Sequence, residues 1–347
     1  MLNPIKEDVK MKMRFILLMT AFAIAWTAIP TPSQAAPIKI RLSYFIIPGI
    51  IYPLFFQHKS ILKNYGKSYT IELIFIRGSS LALQALAAKE VDISFTSFSS
   101  FSNAIINGGL DIKIISGLAQ WSSKGHQGPE YVVLADSPIR KLTDLKGKVL
   151  AVPARGTGFH YAMVANLKKA GLTEEKDYTV VEVRVPGMGA ALKSRRADLV
   201  TAVPPFLYLM EKKIGIRRLF KPEDAMGVVQ SIFNIGRTEF RNKHRAAVTD
   251  FMEDYLIGLK WFLDPKNHDE ASKITAKFTK RPVRIYKSFA FTKKDFYRNP
   301  TATPNMKALQ RNIDMLLSLG VIKKRVVAAD HTDFRYLNEA KRRLGLK

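Results

Sequence analysis

The chain of 347 residues contains no cysteine, which excludes disulfides, thiolate metal sites and a lipid-modified cysteine tether. Acidic residues are also scarce: 29 Asp and Glu stand against 55 Lys and Arg, for a formal net charge of +26. The 6 histidines, at 58, 126, 160, 244, 268 and 331, lack His-x-x-x-His or comparable metal-ligand spacing, and only His160 falls near a loop of interest. Neither a Gly-x-Ser-x-Gly nucleophile elbow nor a Gly-Lys-Ser/Thr phosphate loop is present. With no assembled nucleophile, base or ligand set, the expectation is a protein that is not an enzyme and that uses no metal and no cofactor. The basic excess is dispersed through helices and turns, without a zinc-finger or basic-zipper pattern. It reads as a solvated surface, and no nucleic-acid partner is expected.

Long apolar runs are confined to the N-terminus. Lys10, Lys12 and Arg14 precede the run Phe15 to Ile29, and Ser33-Gln34-Ala35 supplies small residues at a cleavage site. This three-part build is a secretory signal, too short in its apolar part to be a stable membrane span. Residues 1–35 are therefore set aside, and a free periplasmic protein is expected. The remaining length suits two lobes, and 47% hydrophobic residues suffice for a sizeable core.

From Ile38 onward, short apolar runs alternate with helical patterns, the signature of strand-helix-strand units on mainly parallel sheets. Ile38, Ile40 and Leu42 open the first strand, and a helix is expected near Tyr52 to Asn64. Further strands are expected at 71–76, 91–95 and 112–115, with Leu81, Ala82, Ala85 and Leu86 on one helical face between the first two. Tyr131 to Leu134 carries the chain across to a second series at 149–152, 179–185 and 198–203, and 228–235 returns. Phe251, Tyr255, Leu259 and Phe262 then form a helical stripe that reads as core. Lys89-Glu90-Val91-Asp92-Ile93 and Arg195-Arg196-Ala197-Asp198-Leu199 both leave a helix and enter a strand through Asp, a weak echo between two halves.

The order of these elements resembles the substrate-binding proteins of ATP-driven importers for nitrate, sulfonates and taurine. The residues that carry the likeness are Asp144-Leu145-Lys146-Gly147-Lys148-Val149-Leu150-Ala151-Val152, then Gly156-Thr157-Gly158 and Ala170-Gly171-Leu172. The paired joins at Val91-Asp92-Ile93 and Ala197-Asp198-Leu199 add to it, as does Asp269-Glu270-Ala271. The resemblance implies a two-lobed α/β fold of the type II periplasmic-binding-protein kind, closing on a solute through hinges near 118–134 and 230–237. It implies a first lobe of residues 36–125 with 235–347, a second lobe of 126–234, and a monomer that delivers its solute to an ABC permease. The chain departs from the family at His58-Lys59-Ser60-Ile61-Leu62 and at Val203-Pro204-Pro205, which leaves sulfonate, nitrate and carboxylate open as the captured anion.

In open parallel sheets a ligand sits beyond the carboxyl ends of the strands, so the loops there carry the candidates. Arg155, Gly156, Thr157 and Gly158 stand first: glycine lets a backbone approach, a helix start offers N–H donors, and Arg155 can add a bidentate anion contact. Arg77, Gly78 and Ser79 make a similar start in the first half. Thr96 and Ser97 supply hydroxyls, while Phe98, Tyr44, Phe45, Trp121 and Pro204 can shield an apolar part of the solute. Arg184 is a further cation, ranked lower because a strand residue one place out of phase faces away from the cleft. Two other functions share the fold: a thiamin-pyrimidine-synthase-like enzyme, whose iron motif needs cysteines absent here, and a sensor that presents its solute to a receptor.

Overall fold

The computed structural model describes residues 36–346, so the expected signal segment, residues 1–35, lies outside the described residues. Alternation sets the first strand: in β1 (Ile38–Tyr44), Ile40 and Leu42 are buried and Lys39 is exposed. β2 (Tyr69–Phe75), β3 (Ile93–Ser97), β4 (Ile112–Trp121) and β10 (Val229–Arg237) join it in one sheet ordered β2-β1-β3-β10-β4. β5 (Glu130–Leu134), β6 (Lys148–Val152), β7 (Tyr178–Glu182), β8 (Leu199–Ala202) and β9 (Ile216–Phe220) form the other, ordered β7-β6-β8-β5-β9.

Both sheets are mixed. The strands joined through helices run parallel, β1 with β2 and β3, and β6 with β7 and β8. The strands that enter from the other lobe run antiparallel to their neighbours, β10 against β3 and β4, and β5 against β8 and β9. The chain crosses between sheets after Trp121 and again after Phe220. Because β10 pairs with β4 from Val229 onward, residues 229–234 belong with the first sheet, and the second crossing precedes the 230–237 stretch expected as a hinge.

The internal echo has a structural counterpart. Lys89 and Arg195 both end their helices with positive φ, 59° and 56°, and Asp92 and Asp198 both brace the next strand. Asp92 accepts from the Arg41 N–H at 2.9 Å, and Asp198 accepts from the Val149 N–H at 2.9 Å. Each lobe thus ties its helix-to-strand join to the neighbouring parallel strand in the same way.

The helix expected over 52–64 is broken: a short turn of helix at Tyr52–Phe55 is followed by a 3-10 turn at Lys59–Ile61. Asp254 accepts backbone N–H bonds from Lys63, Asn64 and Tyr65, capturing the donors that a continuous helix would have used internally. The helix Arg245–Leu263 buries Phe251, Tyr255, Leu259 and Phe262 against this region. Another apolar cluster runs continuously from Phe98 and Phe233 in the first lobe through Trp121 to Leu150 and Met163 in the second. Among the described residues no helix is long and apolar enough to cross a membrane.

Candidate functional site

The carboxyl ends of the parallel strands in both sheets border one cleft of about 370 Å³. Its walls come from the loops after β1, β2 and β6, from the ends of β3, β7 and β4, and from Phe296 in the C-terminal part. The walls are mainly apolar and include Phe45, Ile50, Phe95, Trp121, Phe159 and Phe296. Trp121 stacks on Phe159, ring centroids 5.0 Å apart, and the Tyr131 hydroxyl on β5 donates to the Phe159 carbonyl. This fixes an aromatic floor where the chain passes between lobes.

The second-lobe loop 153–158 is shaped by glycine. Gly156 has φ +75°, which favours glycine, and a Cβ on Gly158 would stand 3.2 Å from the Phe98 ring and 3.4 Å from Trp121. The helix Gly158–Lys169 begins at this contact. Thr157 turns its hydroxyl back to the Ala154 carbonyl at 2.8 Å. The Gly156 N–H donates to His160 Nδ1 at 3.2 Å, and His160 Nε2 lies 2.8 Å from Glu174.

Arg155 lines the cleft, but its guanidinium bonds to Glu174 (2.5 Å), Glu175 (2.8 Å) and the Val180 carbonyl (2.7 Å). The sequence expectation of a bidentate anion contact from Arg155 therefore meets a cation already neutralised by two carboxylates. Burial acts to raise the Glu174 carboxyl, but the His160 hydrogen bond and the Arg155 charge outweigh it and hold it below the usual range. Glu182, at the end of β7, accepts from the Arg155 N–H at 2.7 Å and puts a carboxylate at the cleft wall.

In the first lobe, Arg77, Gly78 and Ser79 line the cleft at the start of the helix Ser79–Ala87. Arg77 is exposed, and among the described residues no carboxylate pairs with it. A serine network joins the two helix starts: Ser79 Oγ lies 3.0 Å from Ser97 Oγ and 2.8 Å from Ser100 Oγ, and Ser97 Oγ lies 3.1 Å from Ser99 Oγ. Ser97 caps the helix Phe98–Gly108 through the Ser100 N–H.

The structure brings Arg77, Gly78, Ser79, Ser97, Phe45, Trp121, Arg155, Thr157 and Gly158 to the cleft wall. Thr96 does not line it: Phe95 and Ser97 face the cleft, and the period-two alternation turns Thr96 away, fully buried. Phe98 is also buried, as packing beneath Gly158, and Pro204 is buried next to Val203, which does line the cleft. Gly156 stays off the wall and presents its carbonyl to Ser99 instead. Tyr44 and Arg184 border an adjoining hollow of about 430 Å³ that shares Phe45, Ile46, Arg77 and Pro153 with the cleft.

Sequence reasoning missed Glu182, Phe159, Ser231, Ile232 and Phe296. Glu182 is the last residue of β7, so the strand-end rule that selected Arg184 two places later also reaches it. Phe296 lies far along the chain in a loop without periodic signal, and only tertiary packing brings it in.

A sequence profile for the family described as NMT1/THI5 like matches residues 67–268 of the chain. No curated protein sequence matches it. The alkanesulfonate-binding protein SsuA of Xanthomonas axonopodis pv. citri, solved bound to MOPS, superposes with a TM-score of 0.68 at 18% identity, covering 86% of this chain and 99% of that one. The periplasmic nitrate-binding protein NrtA of Synechocystis PCC 6803 gives 0.68 at 13% identity, with 89% of each chain covered. The desulfurization enzyme DSZB also superposes, with a TM-score of 0.63 at 14% identity over 88% of this chain and 99% of that one.

Proposed function

From the premise that this chain belongs to the NMT1/THI5-like family, with the two-lobed α/β fold of type II periplasmic binding proteins, we propose that it is a solute-binding component of an ABC importer. In this reading it is exported to the periplasm, closes its lobes on a small anionic solute, and delivers that solute to a permease as a monomer without chemical change. The observation that carries the reading is the cleft built from strand-end loops of both sheets, because binding energy drawn from two lobes is what favours closure.

The balance of groups at the cleft supports capture over catalysis. Its charged side chains are Arg77, Arg155 and Glu182; Glu182 accepts from the Arg155 N–H, and the Arg155 guanidinium is bound to Glu174 and Glu175. The name of DSZB attaches a reaction to the same fold, but a shared fold does not carry a reaction with it.

The test is mass spectrometry of solute retained by the purified protein, followed by titration of the stripped protein with that solute. A retained small anion that raises the melting temperature and is recovered unchanged supports capture. Recovery of a converted product, or a protein that retains nothing and responds to no anion, overturns it.

A further inference from the structure

The hollow beside the cleft supplies what the cleft lacks. The inner cleft offers apolar walls, and of its charges Arg155 is neutralised, Glu182 is itself negative, and Arg77 is shared with the adjoining hollow. The outer chamber is bordered by Arg77 from the first lobe, Arg184 from the second, and Arg281 from the C-terminal part. Among the described residues no carboxylate pairs with any of these three, and no Asp or Glu lines the chamber. Like charges gathered without a counter-charge repel one another, and an anion placed among them relieves that repulsion.

Aromatic rings frame the same space. Tyr44 meets Phe75 edge-on with centroids 5.6 Å apart and Phe278 at 5.7 Å, and Arg281 lies over the Phe206 ring at 5.1 Å. Phe75 is 60% exposed, an unusual cost for a ring unless something covers it. Arg77 borders both chambers and marks the neck between them.

We propose that the ligand is a ring-bearing organic oxyanion, a carboxylate or sulfonate, whose apolar body fills the inner cleft and whose head is held in the outer chamber by Arg77, Arg184 and Arg281. This rests on the solute-capture reading and narrows it. A compact anion such as nitrate meets the head site alone and leaves the apolar walls in water, whereas a fused ring displaces that water.

The experiment is calorimetric titration of the signal-free protein with naphthalene-2-sulfonate and naphthalene-2-carboxylate, against nitrate, sulfate, taurine and uncharged 2-naphthol. Both naphthalene anions are expected to bind at least about 100-fold more tightly than the compact anions, from the ring area removed from water. Arg184→Ala and Arg281→Ala should each weaken them by about tenfold or more, the loss of one charge-assisted contact. Arg281→Lys should recover part of the loss, and ligand-free melting temperatures report that the variants are folded. Tighter binding of nitrate or taurine, equal binding of 2-naphthol, or unchanged affinity in both Arg variants overturns the inference. So does a panel in which nothing binds. In each of these outcomes solute capture is judged separately, by the identity of the retained solute.

Discussion

Ser99, in the first turn of a first-lobe helix, donates a hydrogen bond of 2.9 Å to the carbonyl of Gly156 in the second lobe. It is a direct polar link between the lobes, placed beside the contact of Gly158 with Phe98. Ser99 is fully buried, so loss of the hydroxyl leaves the Gly156 carbonyl without this partner. Ser99→Ala should destabilise the closed arrangement by about 1 kcal/mol, roughly a fivefold loss of affinity for the retained solute. Small-angle scattering should show a larger radius of gyration for the variant at subsaturating solute. Equal affinity and equal radius would mean that the bond does not bias closure.

Arg77 and Arg155 should separate in a titration. Arg77 has no carboxylate partner among the described residues, whereas Arg155 is bound to Glu174 and Glu175. Arg77→Ala is expected to cost about tenfold or more in affinity for an anionic solute, in line with a lost charge-assisted contact. Arg155→Ala should lower the melting temperature through the loop it ties to Val180, with a smaller effect on affinity. The reverse ranking would return Arg155 to the ligand.

Gly258 faces the Phe55 ring so closely that a Cβ would stand 2.5 Å from Phe55 Cγ. Alanine favours a helix over glycine by about 1 kcal/mol, but overpacking a buried ring costs about 1–3 kcal/mol. The clash should win, because Phe55 is 1% exposed and its stem has nowhere to move. Gly258→Ala is therefore expected to lower stability to denaturant, and Phe55→Leu should restore part of it in the double variant. Additive losses in that cycle would contradict the contact.

Asp333 carries a pH signature. Burial acts to raise its carboxyl, but hydrogen bonds from Arg335 and the charge of fully buried Arg241 outweigh it and bring it down to about 2. A carboxyl depressed below its unfolded value of about 3.9 adds stability above that pH, and the contribution is lost as pH falls toward the folded value. Wild-type stability should thus decline between about pH 4 and 2. Asp333→Asn should remove about 3 kcal/mol at neutral pH by leaving Arg241 uncompensated, and should flatten that part of the acid decline. An unchanged acid profile in the variant would assign the decline to other carboxyls.

What the sequence made legible was local. The joins at Lys89 to Ile93 and Arg195 to Leu199 were readable because a helix end, a positive φ and a bracing Asp fall within five neighbouring positions. The strand-end rule found Arg77, Ser79 and Ser97 for the same reason. Partners distant along the chain were not readable: Glu174 and Glu175 neutralise Arg155 from 19 and 20 residues away, and periodicity carries no trace of that pairing. Arg281 and Phe296 reach the cleft region from the C-terminal part, where the sequence reads only as helices and loops. Mixed sheets in place of mainly parallel ones follow from the two crossings, since β5 and β10 enter from the other lobe and not through a crossover helix packed on their own sheet.

The stacking of Trp121 on Phe159 also gives the protein an intrinsic optical gauge. Of the tryptophans among the described residues, Trp261 packs beside His58 with centroids 4.5 Å apart, away from the cleft, while Trp121 lines the cleft wall. Emission that changes on adding solute can be traced to Trp121 by repeating the titration with Trp261→Phe. Occupancy can then be followed in real time, without a dye and before the molecule that fills the cleft has been identified.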